Sequence, residues 1–158
     1  APVLASFLDP GAVASHFPKD QLSALHRIYT WEFTAERIAE RPVVGWGLDS
    51  ARAIPGSDEL VLPSGPLLSL HPHNAALQVW LELGLVGAMA LALLVWLVGQ
   101  GIAGISDTYG RAGAAATFST ALVISFLSFG IWQNWWIASL ALTAAFVRAS
   151  LRRVELSP

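Results

Sequence analysis

The sequence predicts an all-α membrane fold: a long water-exposed loop region with one amphipathic helix, followed by three membrane-spanning helices. Three observations lead there. Of the 158 residues, 54% are hydrophobic and only 13% charged, against about 25% charged in soluble domains. The charges are unevenly placed, with none between Glu82 and Asp107 and none between Arg111 and Arg148. Each uncharged run is long enough to span a bilayer, which takes roughly 20 apolar residues.

Residues 1–72 form the polar region. They hold Lys19 and four arginines against eight acids. Residues 1–19, rich in Pro, Gly, Ala and Ser, read as irregular. Asp20 is a plausible N-cap. Leu22, Leu25, Ile28, Trp31, Ala35 and Ile38 then recur at helical spacing, with Glu32, Glu36, Arg37 and Glu40 on the other face. The pattern predicts an amphipathic helix over about 21–40. It stops at Arg41, because a residue before proline avoids the helical region. Pro42-Val43-Val44-Gly45-Trp46-Gly47 reads as a tight turn, and the prolines and glycines of 48–72 as loop.

Residues 73–158 form the membrane part, with spans expected at about 73–105, 112–130 and 134–151 and a short tail. A helix from His73 to Ile105 would be roughly 49 Å long, against a hydrocarbon layer of about 30 Å. Its first turns should protrude, with Trp80 as an interfacial anchor. The run 112–147 is too long for one ordinary span. It splits at Phe129-Gly130-Ile131-Trp132-Gln133-Asn134-Trp135-Trp136, a composition suited to a surface turn; one long tilted helix is the alternative. Arg111, Arg148, Arg152 and Arg153 share one side, which the positive-inside rule makes cytoplasmic. Residues 1–72 then face the periplasm of a bacterial inner membrane. ATP is absent there, so a synthetic reaction needs a donor activated beforehand.

Net charge is −2, which offers nothing to attract nucleic acid. There is no cysteine, hence no disulfide framework or thiolate metal site. His71 and His73 could pair on a metal, but no third ligand stands at metal-ligand spacing. The most distinctive local pattern is His73-Asn74 followed by Gly84 and Gly87, with Glu82 between. On a continuous helix both glycines fall on the face of His73, where small residues admit a second helix backbone. Glu82 falls roughly opposite.

Residues 71–87, His-Pro-His-Asn-Ala-Ala-Leu-Gln-Val-Trp-Leu-Glu-Leu-Gly-Leu-Val-Gly, resemble the signature of the O-antigen ligase and polymerase family. So do the upstream runs His26-Arg27-Ile28-Tyr29-Thr30-Trp31 and Arg41-Pro42-Val43-Val44-Gly45-Trp46-Gly47-Leu48-Asp49. The resemblance covers about 20–105 and extends to the last helices by hydropathy. It implies transfer of a glycan from a polyprenyl-pyrophosphate carrier to an acceptor hydroxyl, with neither ATP nor metal. The acceptor would be the lipid A core of lipopolysaccharide for a ligase, or a growing glycan for a polymerase. A protein O-oligosaccharyltransferase carries a similar motif.

Arg27 matches the family's functional arginine. A guanidinium fork suits a leaving pyrophosphate, since it binds bidentately and stays charged. The plainer reading of Arg27 is a solvated face or an ion pair with Glu32 or Asp20. His73 matches the motif histidine and could take the acceptor proton or hydrogen-bond the donor phosphate. Arg52, Asn74, His71 and Glu82 are candidate substrate contacts. Glu82 reads equally as an interfacial anchor, because a carboxylate entering lipid is expensive unless paired or wet. The tryptophans at 132, 135 and 136 suit sugar stacking or an interfacial belt. A transporter or non-catalytic scaffold is the rival class, and few ionisable groups in the spans speak for a polar transport pathway. Oligomeric state is not encoded in these patterns.

Overall fold

A computed structural model describes residues 22–62 and 65–155. The expected Asp20 cap and the irregular segment before it lie outside the described residues. Among the described residues four α-helices form the frame: α1 (Leu22–Glu40), α2 (Ala75–Ala103), α3 (Thr108–Leu127) and α4 (Asn134–Glu155). All-α holds as the class, with two small additions inside the expected loop. A 3₁₀ turn occupies Ala51–Ala53, and a hairpin pairs β1 (Leu60–Leu62) antiparallel with β2 (Gly65–Pro66). Strands this short and proline-bearing leave no alternating pattern to read.

Helix α1 ends at Glu40, one residue before the Arg-Pro step. Its buried face is Thr30, Phe33, Thr34, Ala35 and Ile38, rotated from the expected stripe; Leu22 is exposed. The threonines can be buried because their hydroxyls are satisfied. Thr30 Oγ1 lies 2.9 Å from His26 O and 2.8 Å from Leu67 O, between which its single proton is shared, and Thr34 Oγ1 donates to Thr30 O at 2.6 Å. Ala51, Ile54 and Leu68 of the loop and Leu77 and Leu81 of α2 complete this core. Three indole N–H groups then tie loop and helices together: Trp31 of α1 to Pro72 O, Trp46 of the turn to Arg37 O of α1, and Trp80 of α2 to Pro42 O. Trp80 is thus a structural strut as well as a half-buried aromatic.

Helix α2 starts at Ala75 because Asn74 caps it, its Oδ1 accepting from Leu77 N–H at 3.1 Å. His73 lies outside the helix with φ 53°. The expected shared face of His73, Gly84 and Gly87 is therefore not formed. Gly84 breaks the helix, with φ 63° and ψ −157°, a region essentially confined to glycine. The backbone that approaches it belongs to the 42–47 turn, not to a second helix. A Cβ on Gly84 would lie 2.1 Å from Val43 O, and one on Gly45 would lie 2.5 Å from Glu82 C and O. Leu85 N–H donates to Pro42 O at 2.9 Å, Trp46 N–H to Leu81 O at 2.8 Å and Gly47 N–H to Glu82 O at 2.9 Å. The groups freed by the break are thereby re-paired.

The break divides α2 in two. Ala75, Leu77, Val79 and Leu81 are buried, Leu77 and Leu81 in the core shared with α1 and the loop, while Val86, Met89, Leu93, Leu94 and Trp96 beyond the break are exposed. Helices α2 and α3 are long and apolar enough to cross a membrane. Asp107 caps α3 through Gly110 N–H, starting it at Thr108 rather than about 112. The aromatic stretch does interrupt the second uncharged run, so no single helix covers it. Helix α4, expected as a third span, has 22 residues. Its apolar run is diluted by Asn134, Ser139, Thr143 and Arg148, and it is not among the helices that combine length with sufficient hydropathy. A Cβ on Gly110 would touch Leu151, so the start of α3 meets the end of α4.

A methyl group at Gly84 would meet both a rigid backbone and a forbidden dihedral region. Gly84→Ala should destabilise the purified protein by about 3 kcal/mol or more, read as a lowered thermal midpoint in detergent. Gly99→Ala, in open space on the same helix, should change stability by about 1 kcal/mol or less in the favourable direction.

Candidate active site

The site forms where α1, the start of α2 and the end of α3 meet. Helix α3 stops at Leu127, leaving its last carbonyls without helical partners. Two cation-capable side chains take them. Arg27 Nη1 donates to Leu127 O at 2.8 Å, and His73 Nδ1 lies 2.8 Å from Ser128 O. The two acceptors belong to consecutive residues, whose Cα atoms are about 3.8 Å apart. Arg27 and His73, 46 positions apart in sequence, are thus brought to one helix end. Positive or donor groups are favoured there by the helix dipole.

A carbonyl oxygen only accepts, so Nδ1 of His73 carries the proton. In the neutral ring Nε2 is then an unprotonated acceptor. His71 has the opposite arrangement. Its Nδ1 accepts the His73 backbone N–H at 3.2 Å, which leaves the proton of the neutral ring on Nε2. The two rings meet edge to face with centroids 4.4 Å apart. Burial of His71, and secondarily the charge of His73 beside it, lower its pKa from 6.5 to about 4. Gly130 makes room for this ring: a Cβ there would lie 2.6 Å from His71 Cδ2.

A cavity of about 530 Å³ is lined among others by Leu48, Asp49, His71, Gln78, Trp132 and Gln133; His71 borders it, whereas Arg27 and His73 are not among its lining residues. Glu82 lies behind it and is fully buried. Its carboxylate accepts from Gln78 Nε2 at 3.0 Å, from the Asp49 backbone N–H at 3.1 Å and from Trp132 Nε1. Asn74 serves as the cap of α2. Arg52 is exposed in the 3₁₀ turn, and no hydrogen bond or ion pair ties its guanidinium to a described residue or to the Arg27–His73 pair. His26 holds Pro66 O through Nε2 at 2.8 Å, which anchors the hairpin rather than the site. Phe129, Trp135 and Trp136 stack on one another, and Trp132 alone of these aromatics borders the cavity. Among the described residues, no three or more His, Asp or Glu side chains gather as a metal site would require.

Sequence reasoning did not single out Gln78, the Ser128 carbonyl or the space at Gly130 for the histidine. Gln78 stands one helical turn before Glu82, a spacing that places both on one face, and this was the available signal. The others depend on contacts more than 50 residues distant, which no local pattern encodes.

Residues 10–92 match the family described as O-antigen ligase. A protein of Rickettsia conorii named "Putative polysaccharide ligase" is 36% identical over 142 residues, covering 87% of this chain and 34% of its own length. A Rickettsia felis protein of the same name is 34% identical over 142 residues, covering 87% of this chain and 35% of its own. The chain belongs to the O-antigen ligase family. It spans about a third of the length of these relatives. No solved structure matches. The family match encloses Arg27, His73, the 42–47 turn and the helix break at Gly84, so the geometry above sits within the matched segment.

His71 supplies a pH test of this ligase-family site. A base whose folded pKa is depressed leaves its full contribution to stability above pH 6.5 and loses it as pH falls toward about 4. Unfolding midpoints of the wild type should fall over that window, by roughly 2–3 kcal/mol of stability. His71→Asn, which keeps an acceptor near the Nδ1 position, should flatten that part of the profile.

Proposed function

We propose that this ligase-family chain carries the transfer centre of a membrane glycosyltransferase. The donor is a glycan on polyprenyl pyrophosphate and the acceptor a sugar hydroxyl, that of the lipid A core in the ligase reaction. The observation that carries this reading is the meeting of a guanidinium and an imidazole at consecutive carbonyls of one helix end, with the cavity-lining ring of His71 4.4 Å from that imidazole. The acceptor oxygen attacks the anomeric carbon, and the bond from that carbon to the phosphate oxygen breaks. The acceptor proton passes to Nε2 of His73, and the electron pair leaves with the pyrophosphate. Arg27, with one nitrogen on Leu127 O, keeps further N–H donors for the phosphate charge that develops. His71 stays neutral beside His73 and adds no competing charge. Arg52 and Asn74 stand at the margin, and neither is required for this step.

In the membrane, this reading puts residues 22–72 on the periplasmic face with the first turns of α2. Helices α2, α3 and α4 cross the inner membrane, and Arg111, Arg148 and Arg152 end on the cytoplasmic face. The centre then sits where a lipid-linked substrate presents its phosphates, just outside the hydrocarbon.

Both residues also cap α3, so the variants must separate chemistry from capping. His73→Asn can still donate to Ser128 O but lacks a base at the Nε2 position. Arg27→Lys keeps the charge but loses the fork. In transfer assays of the full chain with purified lipid-linked donor, each should lower turnover by about 100-fold or more while the thermal midpoint stays near wild type. Wild-type turnover in both would remove the assignment.

A further inference from the structure

We infer that the Gln78–Glu82 pair is a positioning clamp for this site, with Glu82 acting through the two loops it holds rather than by touching substrate. The inference rests on the transfer reading above. Glu82 is 0% exposed, and no ion pair reaches its carboxylate among the described residues. A buried carboxylate without a cation is costly to keep. Its oxygens are satisfied instead by donors from three segments: Gln78 on α2, Asp49 after the 42–47 turn, and Trp132 in the α3–α4 turn.

Gln78 adds a fourth link, its Oε1 accepting Ile131 N–H at 2.9 Å. The pair, one helical turn apart, therefore fastens both walls of the cavity to α2. One wall is Leu48–Asp49, where Asp49 is held at φ 56°, a left-handed conformation uncommon for a non-glycine residue. The other is the 128–133 turn, which also carries the Ser128 carbonyl that orients His73. Displacing Ile131 and Trp132 would move that carbonyl and turn the imidazole away from its working direction. Errors of about an ångström in such placement cost on the order of 100-fold in rate.

The chemistry of the pair provides its own test. In Glu82→Gln the two facing side chains are both amides. Whichever way the new amide turns, a donor meets a donor, at Gln78 or at Asp49 and Trp132. Exchanging the two residues, Gln78→Glu with Glu82→Gln, restores every bond: position 78 accepts from Ile131 and from position 82, which accepts from Asp49 and Trp132.

Two readouts are needed on the full chain in lipid nanodiscs: steady-state transfer, and hydrogen exchange of the amides at Asp49 and Ile131. Glu82→Gln should lower kcat by about 30-fold or more with KM for the donor changed by less than about threefold, and both amides should exchange faster. The exchanged pair should recover most of the lost kcat and the protection, a non-additivity expected of one network. Restored protection without restored kcat would overturn the clamp in favour of direct substrate contact. Normal kcat in Glu82→Gln would overturn it as well. Wild-type protein that transfers no glycan would instead sink the functional reading, and the clamp would then stand or fall on the exchange data alone.

Discussion

The break in α2 at Gly84 organises the remainder of the structure. A helix interior normally keeps its backbone polar groups to itself. Here three of them, on Leu81, Glu82 and Leu85, are handed to the 42–47 turn. The exchange works only because Gly45 and Gly84 lack a Cβ, which lets the two backbones touch. An unmade backbone bond near lipid costs several kcal/mol, so the turn and the break stabilise each other or neither forms. Once joined, they set the distance between the end of α1 and the start of α2. That fixes where Trp46, Asp49 and the cavity wall can lie. The Pro-Val-Val-Gly-Trp-Gly run and the later glycine are two halves of one junction.

The end of α3 is the second junction. Its free carbonyls could have been capped by water or by a glycine turn. They are instead met by Arg27 from α1 and His73 from the residue before the α2 cap. The arrangement orders both side chains, and in the proposed reaction that order would lower the entropy lost on binding substrate. It also gives each residue a structural duty, so that loss of turnover in an alanine variant alone does not identify chemistry. The left-handed backbone at His73 belongs to the same device. With Asn74 committed to capping α2, that conformation turns the imidazole back toward α3 instead of along the helix axis.

Much of this architecture was legible from local pattern. The amphipathic period of α1, its stop before Pro42, the two uncharged runs and the interruption around Trp132 each depend on neighbours within a few residues. The resemblance at 26–31 and 71–87 singled out Arg27 and His73, and the structure brings them to one helix end. What was not legible depends on partners far along the chain. Gly84 inside an apolar helix reads as a packing seam, because nothing nearby discloses that residue 43 will press against it. Glu82 reads equally as a substrate contact or an interfacial anchor, since two of its three donors come from 33 and 50 positions away. The buried face of α1 shares Ala35 and Ile38 with the expected stripe but is rotated toward Thr30 and Thr34, which score as polar. Their hydroxyls find carbonyls, and the loop packs on that side.

The two histidines show how backbone hydrogen bonds can divide labour between identical side chains. Each ring uses Nδ1 for the protein, but in opposite senses: that of His73 donates a hydrogen bond to a carbonyl, and that of His71 accepts one from an amide. The free nitrogen of one is therefore a base and that of the other a donor. Burial holds His71 neutral far below the pH at which an ordinary imidazole charges. A neutral neighbour adds no electrostatic field against protonation of His73, whereas a charged one 4.4 Å away would oppose it. The space at Gly130 is what allows this burial. Residue 130 lies in the same turn that carries Ser128, so the segment that orients the proposed base also keeps its neighbour uncharged.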